Sequence, residues 1–429
     1  MADNFDSNFT RQLARVFLEK FDSERVLTKN VDTQLLAGKF NPASGENVDF
    51  KRPTDYVSVR TPKGDLTSET ASDIITGKAT GTVQDYFTTF VDYDEADEAL
   101  KMDQLDQLLA PLATRIKTDF ELDFAKYMMK NTGLLAGTVG TQASTWDHVA
   151  RAGATMSAHG VPMDSQWCYA VNPFTQTNLA SDQRGLGAGG SAGGLISEAH
   201  RKAIITDNFA GMKVMTATTL GSYTTSAGAD RAGVLTATPA GGYVAAKDTM
   251  TQTLAVTALQ ANLVVKAGET VQITAAVGAV NRLNLSTREV ILDETGAAIV
   301  WTATVTADVT LGASGEGNLV VTGPAINEAL GQYNTASQPI LTGDVVTLLG
   351  AASTIIQPNL FWHKQAFSVG SVPIKKLYST DTIATTEDGL QFRISKGSDF
   401  LGNSQKVRFD FRPAYAALNP FFCGQGFGS

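Results

Sequence analysis

The stretch LKMDQLDQLLAPLATRIKTDFELDFAKYMMK, residues 100–130, carries the strongest helical pattern in the chain. Its apolar residues recur every three or four positions and therefore share one face of a helix. These residues are Leu105, Leu108, Leu109, Leu112, Ile116, Phe120, Phe124 and Met128. Proline is tolerated in a first turn but breaks a helix interior, so we predict that the helix begins near Pro111. It would run for about 19 residues, roughly 28 Å.

An acidic run precedes this helix, with Asp92, Asp94, Glu95, Asp97 and Glu98. Paired carboxylates could act as acid and base or bind a cation. The helix dipole also favours acidic residues before and within a first turn. We favour the dipole interpretation.

Upstream, residues 48–91 have a mostly polar pattern on both sides of the turn-like sequence Thr61-Pro62-Lys63-Gly64-Asp65. Apolar positions before and after this turn are Tyr56, Val57, Val59, Val83, Phe87, Phe90 and Val91. We predict a long β-hairpin. A hairpin buries too little surface to be stable alone, so it should lie against something else, such as another copy of the chain.

At the N-terminus, Phe5, Phe9, Leu13, Phe17 and Phe21 recur every four residues, which predicts an amphipathic helix. Two interpretations are open. The helix packs on its own domain, or it is an arm that reaches a neighbouring subunit or an assembly partner.

Downstream of the long helix, short apolar runs alternate with helical patterns to about Thr224, which predicts a mixed α/β domain. From Thr225 to Ser353 the composition shifts toward Ala, Thr, Val and Gly, and short strands predict a small β-barrel or sandwich. The predicted strands include 271–274, 289–292, 299–301, 319–321 and 344–346, with a hairpin turn at 293–296. Mixed α/β character returns after Gln357, so the β-module is predicted to be an insertion.

Composition excludes several classes of protein. The chain has 34 Lys and Arg against 43 Asp and Glu, a net charge of -9, and no basic cluster for phosphate contacts. Cys168 and Cys423 form no C-x-x-C pair, so no disulfide framework or cysteine zinc site is indicated. Neither an export signal nor an apolar stretch of membrane-spanning length is visible.

Two glycine-rich motifs and the histidines are candidates for chemistry. Gly185, Gly187 and Gly190 match G-x-G-x-x-G, and Ser191 lies in a G-x-S-x-G sequence, but both motifs require a preceding strand. We interpret this run as a surface loop. The histidines, at 148, 159, 200 and 363, show no metal-ligand spacing, and we expect His363 to be a packed or interface residue. We therefore predict no catalytic, cofactor-binding or metal-binding residue, and no cofactor.

The order of these parts resembles the major coat proteins of short-tailed phages of the Salmonella type. The local matches are the acidic run and helix from Asp92 to Lys130, Tyr169-Ala170-Val171-Asn172-Pro173, Asn359-Leu360-Phe361-Trp362 followed by Val372-Pro373-Ile374, and Phe409 to Phe427. The resemblance implies an α+β tailed-phage capsid fold with an inserted all-β barrel. It divides the chain into an N-arm (1–35), an E-loop hairpin with P-domain strands (36–92), a spine helix (93–132), a first A-domain part (133–224), the inserted I-domain (225–354) and a return through the A-domain and P-domain (355–429).

The resemblance also implies a function. The chain would form hexamers and pentamers of an icosahedral head around double-stranded DNA, without sequence-specific DNA contact and without a membrane. A scaffolding protein and a portal at one vertex would be its partners, in a procapsid that matures on packaging. The virion capsid would be its location, after assembly in the host bacterial cytoplasm.

Two sets of contact residues are expected. Intersubunit candidates are Phe5, Phe9, Arg15, Tyr56, Arg60, Lys63 and Asp65, and scaffold candidates are Asp3, Asp6, Glu19 and Asp22. Two alternatives are a secreted or surface binding protein with an immunoglobulin-like β-module, which should carry an export signal, and a hydrolase that uses Ser191.

Overall fold

The computed structural model describes residues 11–429 except 12–13, 16, 20, 22–24, 37–46, 95–104, 187–204, 206–207, 276–277, 330, 379–380 and 400–403. For residues 93–94, 105–110, 184–186 and 399 it describes the backbone alone. The α-helices are α1 (Leu105–Lys130), α2 (Trp146–Ala158), α3 (Pro173–Leu186) and α4 (Tyr243–Ala246), and the 3-10 helices are Thr28–Asn30, Gln34–Leu36, Lys364–Ala366 and Pro420–Phe422.

Strands outnumber helices, which confirms the predicted α+β class. The first twelve are β1 (Asn47–Lys51), β2 (Lys78–Val83), β3 (Phe87–Asp94), β4 (Leu134–Ala136), β5 (Cys168–Val171), β6 (Asn208–Phe209), β7 (Met212–Thr216), β8 (Tyr223–Thr224), β9 (Ala232–Leu235), β10 (Thr251–Thr257), β11 (Val264–Val265) and β12 (Thr270–Thr274). The others are β13 (Thr302–Val305), β14 (Val309–Thr310), β15 (Gly317–Thr322), β16 (Val345–Leu348), β17 (Ile355–Ile356), β18 (Asn359–Trp362), β19 (Phe367–Ser371), β20 (Thr382–Thr385), β21 (Gln391–Asp399), β22 (Ser404–Phe411), β23 (Pro413–Ala417) and β24 (Cys423–Gly426).

The chain divides into two compact units. The first comprises Met1–Asp49, Thr80–Ala125 and Phe367–Ala416, and the second comprises Phe50–Ala79, Lys126–Ala366 and Ala417–Ser429. The boundaries of the six predicted segments stay predictions.

In the first unit an aromatic core packs between an antiparallel sheet, ordered β20-β21-β22-β3, and the part of α1 that belongs to this unit. Phe120 of α1 meets Phe411 of β22 with ring centroids 4.9 Å apart, and Phe392 of β21 stacks on Phe411 at 4.5 Å. Such aromatic pairs add stabilisation beyond the area they bury.

The N-terminal segment has helical backbone at its described positions between 11 and 21. Phe17 stacks on Phe409 at 5.1 Å, and Phe21 meets Phe392 edge-on at 4.5 Å. Phe17 and Phe21 are buried. For these two residues the structure therefore agrees with the first interpretation, a helix packed on its own domain.

The long helix begins earlier than predicted. It starts at Leu105, is 26 residues long and contains Pro111 in its interior, so the predicted start near Pro111 is wrong. Proline removes one backbone hydrogen bond, and Pro111 is exposed, where water can hydrate the carbonyl that loses its donor.

The helix-dipole explanation of the acidic run is also wrong for Asp92 and Asp94. Asp92 and Asp94 belong to β3, which ends 11 positions before the first residue of the helix, so they are not part of its first turn. Asp92 pairs instead with Lys406 across the sheet, with Oδ2 and Nζ 3.6 Å apart. Glu95, Asp97 and Glu98 lie outside the described residues.

The predicted hairpin is right only at its base. Strands β1 and β2 are neighbours in a four-stranded sheet ordered β1-β2-β23-β19. Residues 52–77 between them contain no strand, and β3 pairs with β22 rather than with the segment around Tyr56. The polar sequence there lacks the alternating apolar face that a strand needs for packing.

The second unit contains a mixed six-stranded sheet, ordered β4-β24-β18-β5-β7-β6, with helices α2 and α3 in the same α/β region. Helix α2 packs against β4, β7 and β24. Strand β24 lies parallel to β4 and antiparallel to β18, so the C-terminal residues join the edge strand β4 to the rest of the sheet. Two of the local family matches, at Tyr169 and at Asn359 to Trp362, lie in strands β5 and β18 of this sheet.

The same unit contains a closed barrel, ordered β10-β15-β13-β12-β16-β9. Alternate residues fill its interior, among them Leu254, Ile273, Leu319 and Val346, all fully buried. At Gly315, a Cβ atom would overlap the carbonyl oxygen of Leu259, so no larger residue fits this turn. A barrel rather than a sandwich is therefore the form of the predicted β-module.

Two of the segments predicted to be barrel strands are not strands of the barrel. Residues 289–292 and 299–301 form isolated bridges, such as Leu292 with Ala298, instead of barrel strands. The turn between them is confirmed, because Asp293 Oδ1 accepts hydrogen bonds from the backbone of Thr295 and Ala297. The pair is a small hairpin attached to the barrel.

Candidate functional site

The loop between β1 and β2, in the second unit, carries several exposed apolar residues. Nearly every residue from 56 to 72, defined here as the distal loop, is exposed. Tyr56 is 56% exposed and Leu66 is 60% exposed. Exposed apolar residues grouped on one loop are typical of a surface that contacts another molecule.

The residues that flank the distal loop, Asp55 on one side and 73–75 on the other, are held by two consecutive residues, Gln332 and Tyr333, which we call the loop clamp. The buried Gln332 amide donates to the carbonyl oxygen of Asp55 and, at 2.8 Å, to that of Asp73. The Tyr333 hydroxyl accepts from Asp55 N at 3.3 Å and donates to Ile75 O at 3.0 Å. Each clamp residue thus binds both ends of the loop.

Two further contacts fix the clamp. Tyr333 stacks on Tyr243 with ring centroids 3.7 Å apart, which limits rotation of its ring. Asp55 forms an ion pair with Arg288, whose Nη1 also donates to Asn334 O at 2.8 Å. The ends of the loop are therefore positioned by the barrel insertion, while its tip extends beyond these contacts.

Within the distal loop the structure contains the predicted turn. Gly64 has a φ of +71°, which glycine adopts readily. Asp65 accepts hydrogen bonds from the hydroxyl and backbone N–H of Thr67, and these lower the pKa of Asp65. Its carboxylate thus shapes the loop as well as lying exposed on it.

The predicted intersubunit residues Tyr56, Arg60, Lys63 and Asp65 all lie exposed on the distal loop. Arg15, on the N-terminal helical segment, is exposed too. The remaining intersubunit candidates, Phe5 and Phe9, lie outside the described residues. Their roles as contacts stay predictions.

Among the predicted scaffold contacts, only Glu19 falls in the described part of the chain, where it is exposed on the N-terminal helical segment. Asp3, Asp6 and Asp22 lie outside it.

The motifs considered for chemistry have local structural explanations where they are described. Residues 181–184, before the glycine run, are helical rather than the strand that a nucleotide-binding or serine-nucleophile motif requires. Gly187, Gly190 and Ser191 lie outside the described residues. His148 accepts backbone hydrogen bonds in a capping box at the start of α2.

His363 is buried, as expected for a packed residue, and its Nε2 lies 2.6 Å from Asp164 and 2.9 Å from Ser165. Because Asp164 and Ser165 share one ring nitrogen, this cluster lacks the relay of a catalytic triad, in which the two nitrogens have separate partners.

Both cysteines are buried and free. Burial raises the pKa of the Cys168 thiol to about 11, which keeps it protonated at neutral pH. Within the described ranges, no group of three or more His, Cys, Asp or Glu residues could hold a metal ion. No described helix has the length and hydropathy needed to cross a membrane.

The sequence did not reveal the loop clamp. Gln332 and Tyr333 are more than 250 positions from the loop residues they bind. Neither has a local pattern that distinguishes it from any polar or aromatic residue of the barrel insertion.

Comparison with known proteins covers the whole chain. Residues 1–428 match the family model described as "P22 coat protein - gene protein 5". The chain is 34% identical over 432 residues to the "Major capsid protein" of Acyrthosiphon pisum secondary endosymbiont phage 1, with 100% of each chain covered. The match includes the barrel, so the interpretation as a secreted immunoglobulin-like binding protein has no support.

Solved structures are similar at lower levels. A chain of Mycobacterium phage Che8 is 13% identical, with a TM-score of 0.47 and 95% and 93% of the two chains covered. A chain from the capsid structure of cyanophage P-SCSP1u is 10% identical, with a TM-score of 0.41 and 93% and 86% covered. The family assignment therefore rests on the two full-length sequence matches and not on these structures. The chain therefore belongs to the P22 coat protein family, structural rather than enzymatic proteins, and is a major capsid protein that forms a bacteriophage head.

Proposed function

We propose that the chain assembles into hexamers and pentamers of an icosahedral head that encloses double-stranded DNA. Assembly passes through a procapsid built with a separate scaffolding protein and a portal at one vertex, in the host bacterial cytoplasm. The procapsid then matures when DNA is packaged. Closed shells need heterologous contacts that repeat around rings, so each subunit must offer a projecting surface and a receiving one.

The distal loop carries this proposal as the projecting surface. It is exposed, has no core of its own and is held at both ends, so its tip is presented in a defined direction at a low entropic cost. Burial of a large apolar side chain such as Tyr56 or Leu66 on a neighbour contributes roughly 1.5–3 kcal/mol. Modest contacts of this kind, summed over several neighbours, stabilise a shell while misplaced subunits can still leave.

The N-terminal segment is proposed as the scaffold contact. Its carboxylates, at Asp3, Asp6, Glu19 and Asp22, would meet a basic segment of the scaffolding protein. Exposed Glu19 is compatible with this role.

Deletion of residues 60–70 tests the loop contact. We expect soluble, folded monomer and no shells, because these residues are nearly all exposed and contribute little to the fold of the monomer. The measurement is sedimentation together with electron microscopy of the deletion variant co-expressed with the scaffolding protein, beside the unsubstituted chain.

A matched variant replaces residues 60–70 by a Gly and Ser sequence of equal length. It keeps the loop length and removes the side chains, so it should also fail to form shells. Normal shells from the deletion would contradict the proposed contact.

A further inference from the structure

The four-stranded sheet β20-β21-β22-β3 of the first unit has a second face, opposite its aromatic core. Strand pairing places Phe90 of β3 opposite Arg408 of β22, and Asp410 of β22 opposite Arg393 of β21. Successive residues of a strand point to opposite faces, so these four side chains share the face opposite Phe411. Phe90 is 70% exposed on it.

Positive charge predominates on this second face. The carboxylate of Asp410 is shared by two arginines, since Oδ2 accepts from Arg393 Nε at 3.1 Å and Oδ1 accepts from Arg408 Nε at 2.6 Å. One carboxylate between two guanidinium groups leaves one positive charge unbalanced. The side chain of Arg408 is 49% exposed, so this charge is accessible to a partner.

The loop at 375–378 adds two further cations beside the same face. Buried Arg393 donates from Nη1 to the carbonyl oxygen of Lys375 at 3.1 Å. Buried Asp381 accepts from the backbone N–H groups of Leu377 at 2.7 Å and Tyr378 at 3.0 Å. Two buried side chains thus hold the backbone of a loop whose own four side chains are all exposed.

The side chains of this loop are two lysines followed by two apolar residues. Leu377 is 64% exposed and Tyr378 is 63% exposed. Among the described residues neither Lys375 nor Lys376 has an ion-pair partner. Phe90, Arg408 and residues 375–378 are defined here as the basic face.

The composition of the basic face indicates the chemistry of its partner. Its cations attract acidic groups, and its exposed apolar side chains are typical of a surface that another molecule covers. A nucleic acid backbone would satisfy the charges but would leave Phe90, Leu377 and Tyr378 without apolar contacts. An acidic protein segment that also carries aromatic residues matches both properties.

Residues 1–10 of the chain have this composition. In the sequence MADNFDSNFT two carboxylates, Asp3 and Asp6, are interleaved with Phe5 and Phe9, and there is no cationic side chain. The helical segment that follows packs Phe17 on the core side of the same sheet. A subunit's own residues 1–10 would therefore have to turn around the edge of the sheet to reach the basic face, whereas those of another copy can approach it directly.

We propose that the basic face of one subunit binds residues 1–10 of a second copy of the chain. The two aspartates pair with the lysines of the loop, and the two phenylalanines cover its apolar side chains. This contact rests on the proposed intersubunit role of Phe5 and Phe9 and names the surface that receives them. Asp3 and Asp6 are also proposed to meet the scaffolding protein, so the two partners would compete for residues 1–10.

The test is the binding of a synthetic peptide of residues 1–10, with a fluorophore at its C-terminal end, to the full-length monomer, measured by fluorescence anisotropy. We expect saturable binding that weakens as salt rises from about 0.05 to 0.5 M, because exposed charge contacts are screened. No saturable binding would overturn the proposal. Since monomer and peptide are used, this result does not depend on whether the chain forms shells.

Charge exchange identifies the pairing. Lys375→Glu with Lys376→Glu should weaken binding of the peptide about tenfold, and a peptide with Asp3→Lys and Asp6→Lys should bind this variant more tightly than the original peptide does. The control is Arg151→Glu with Lys266→Glu, which changes the net charge equally at exposed residues of the second unit and should leave binding unchanged. Equal loss of binding in both double variants would refute the site.

A further variant and a DNA probe distinguish the class of partner. Leu377→Ser with Tyr378→Ser should weaken peptide binding by a similar factor, and a short DNA duplex should bind the monomer more weakly than the peptide does. Tighter binding of the duplex, unaffected by this variant, would indicate a nucleic acid surface and would refute the proposal. Circular dichroism checks that each variant is folded, and the salt series and the peptide variants need no change in the protein.

Discussion

Substitution of Gln332 by alanine should release both ends of the distal loop. The side-chain amide makes two hydrogen bonds, to the carbonyl oxygens of Asp55 and Asp73. At about 1 kcal/mol each, their loss lowers the local stability of the loop by roughly 2 kcal/mol, which raises its opening equilibrium about 30-fold. Global stability should change less, because the loop itself is mostly exposed.

Amide hydrogen exchange of the monomer measures this opening. The backbone N–H groups of Asp55 and Val57 are the reporters, since they bond to Tyr333 and to Ser72 Oγ. Both should exchange faster in Gln332→Ala. The control is Gln260→Ala, which removes an exposed glutamine that accepts from Ala229 N in another loop of the barrel domain. It should leave residues 53–77 unchanged.

The reasoning would be refuted if exchange at 53–77 stayed the same in Gln332→Ala while exchange of the barrel strands rose. That result would mean that Gln332 stabilises the barrel rather than the loop. A released loop should also slow shell assembly at a given subunit concentration, because ordering the loop then costs entropy during docking.

Three other outcomes can be measured. Phe21→Ala should destabilise the monomer by about 3–5 kcal/mol in urea unfolding, because Phe21 is fully buried, whereas Phe174→Ala, at a side chain 83% exposed, should stay within about 0.5 kcal/mol; equal losses would contradict the assigned core. Burial and the charge of Arg282 lower the pKa of His159 from its ordinary 6.5 to about 3 in the folded chain, so the unfolded chain binds a proton first as pH falls. The contribution of neutral His159 to the free energy of unfolding is complete above pH 6.5, and about 2 kcal/mol of it should be lost by pH 5. The same unfolding midpoint in the His159→Gln and unsubstituted chains across this range would argue against it. Scaffold affinity should fall as salt rises from about 0.05 to 0.5 M, and binding independent of salt would exclude docking through the N-terminal carboxylates.

Periodic patterns in the sequence were sufficient to predict much of the fold. The apolar stripe of Ile116, Phe120 and Phe124 predicted α1, and alternation at 271–274 and 319–321 predicted barrel strands. These patterns can be read locally, because a helix or strand with one buried face repeats its apolar residues at a fixed spacing. The family resemblance, carried by the order of the parts, was confirmed over the whole chain.

Local patterns failed where tertiary contacts decide. The sequence could not show that α1 continues through Pro111 to Leu105, because packing along the rest of a helix can compensate for one lost hydrogen bond. Nor could it show that Asp92 belongs to a strand. Its neighbour in the sheet is Lys406, far along the chain.

The sequence by itself determined the α+β class, the inserted β-module and the coat-protein family, because periodicity, composition and order of segments are all readable along one dimension. Only the tertiary structure decided that the module closes into a barrel, that Gln332 and Tyr333 hold the distal loop, and that Phe90 shares one face of a sheet with Arg408 and Arg393. Each of these depends on groups brought together from distant positions, and a hydrogen bond or an unpaired charge has no signature until both sides of the contact are placed.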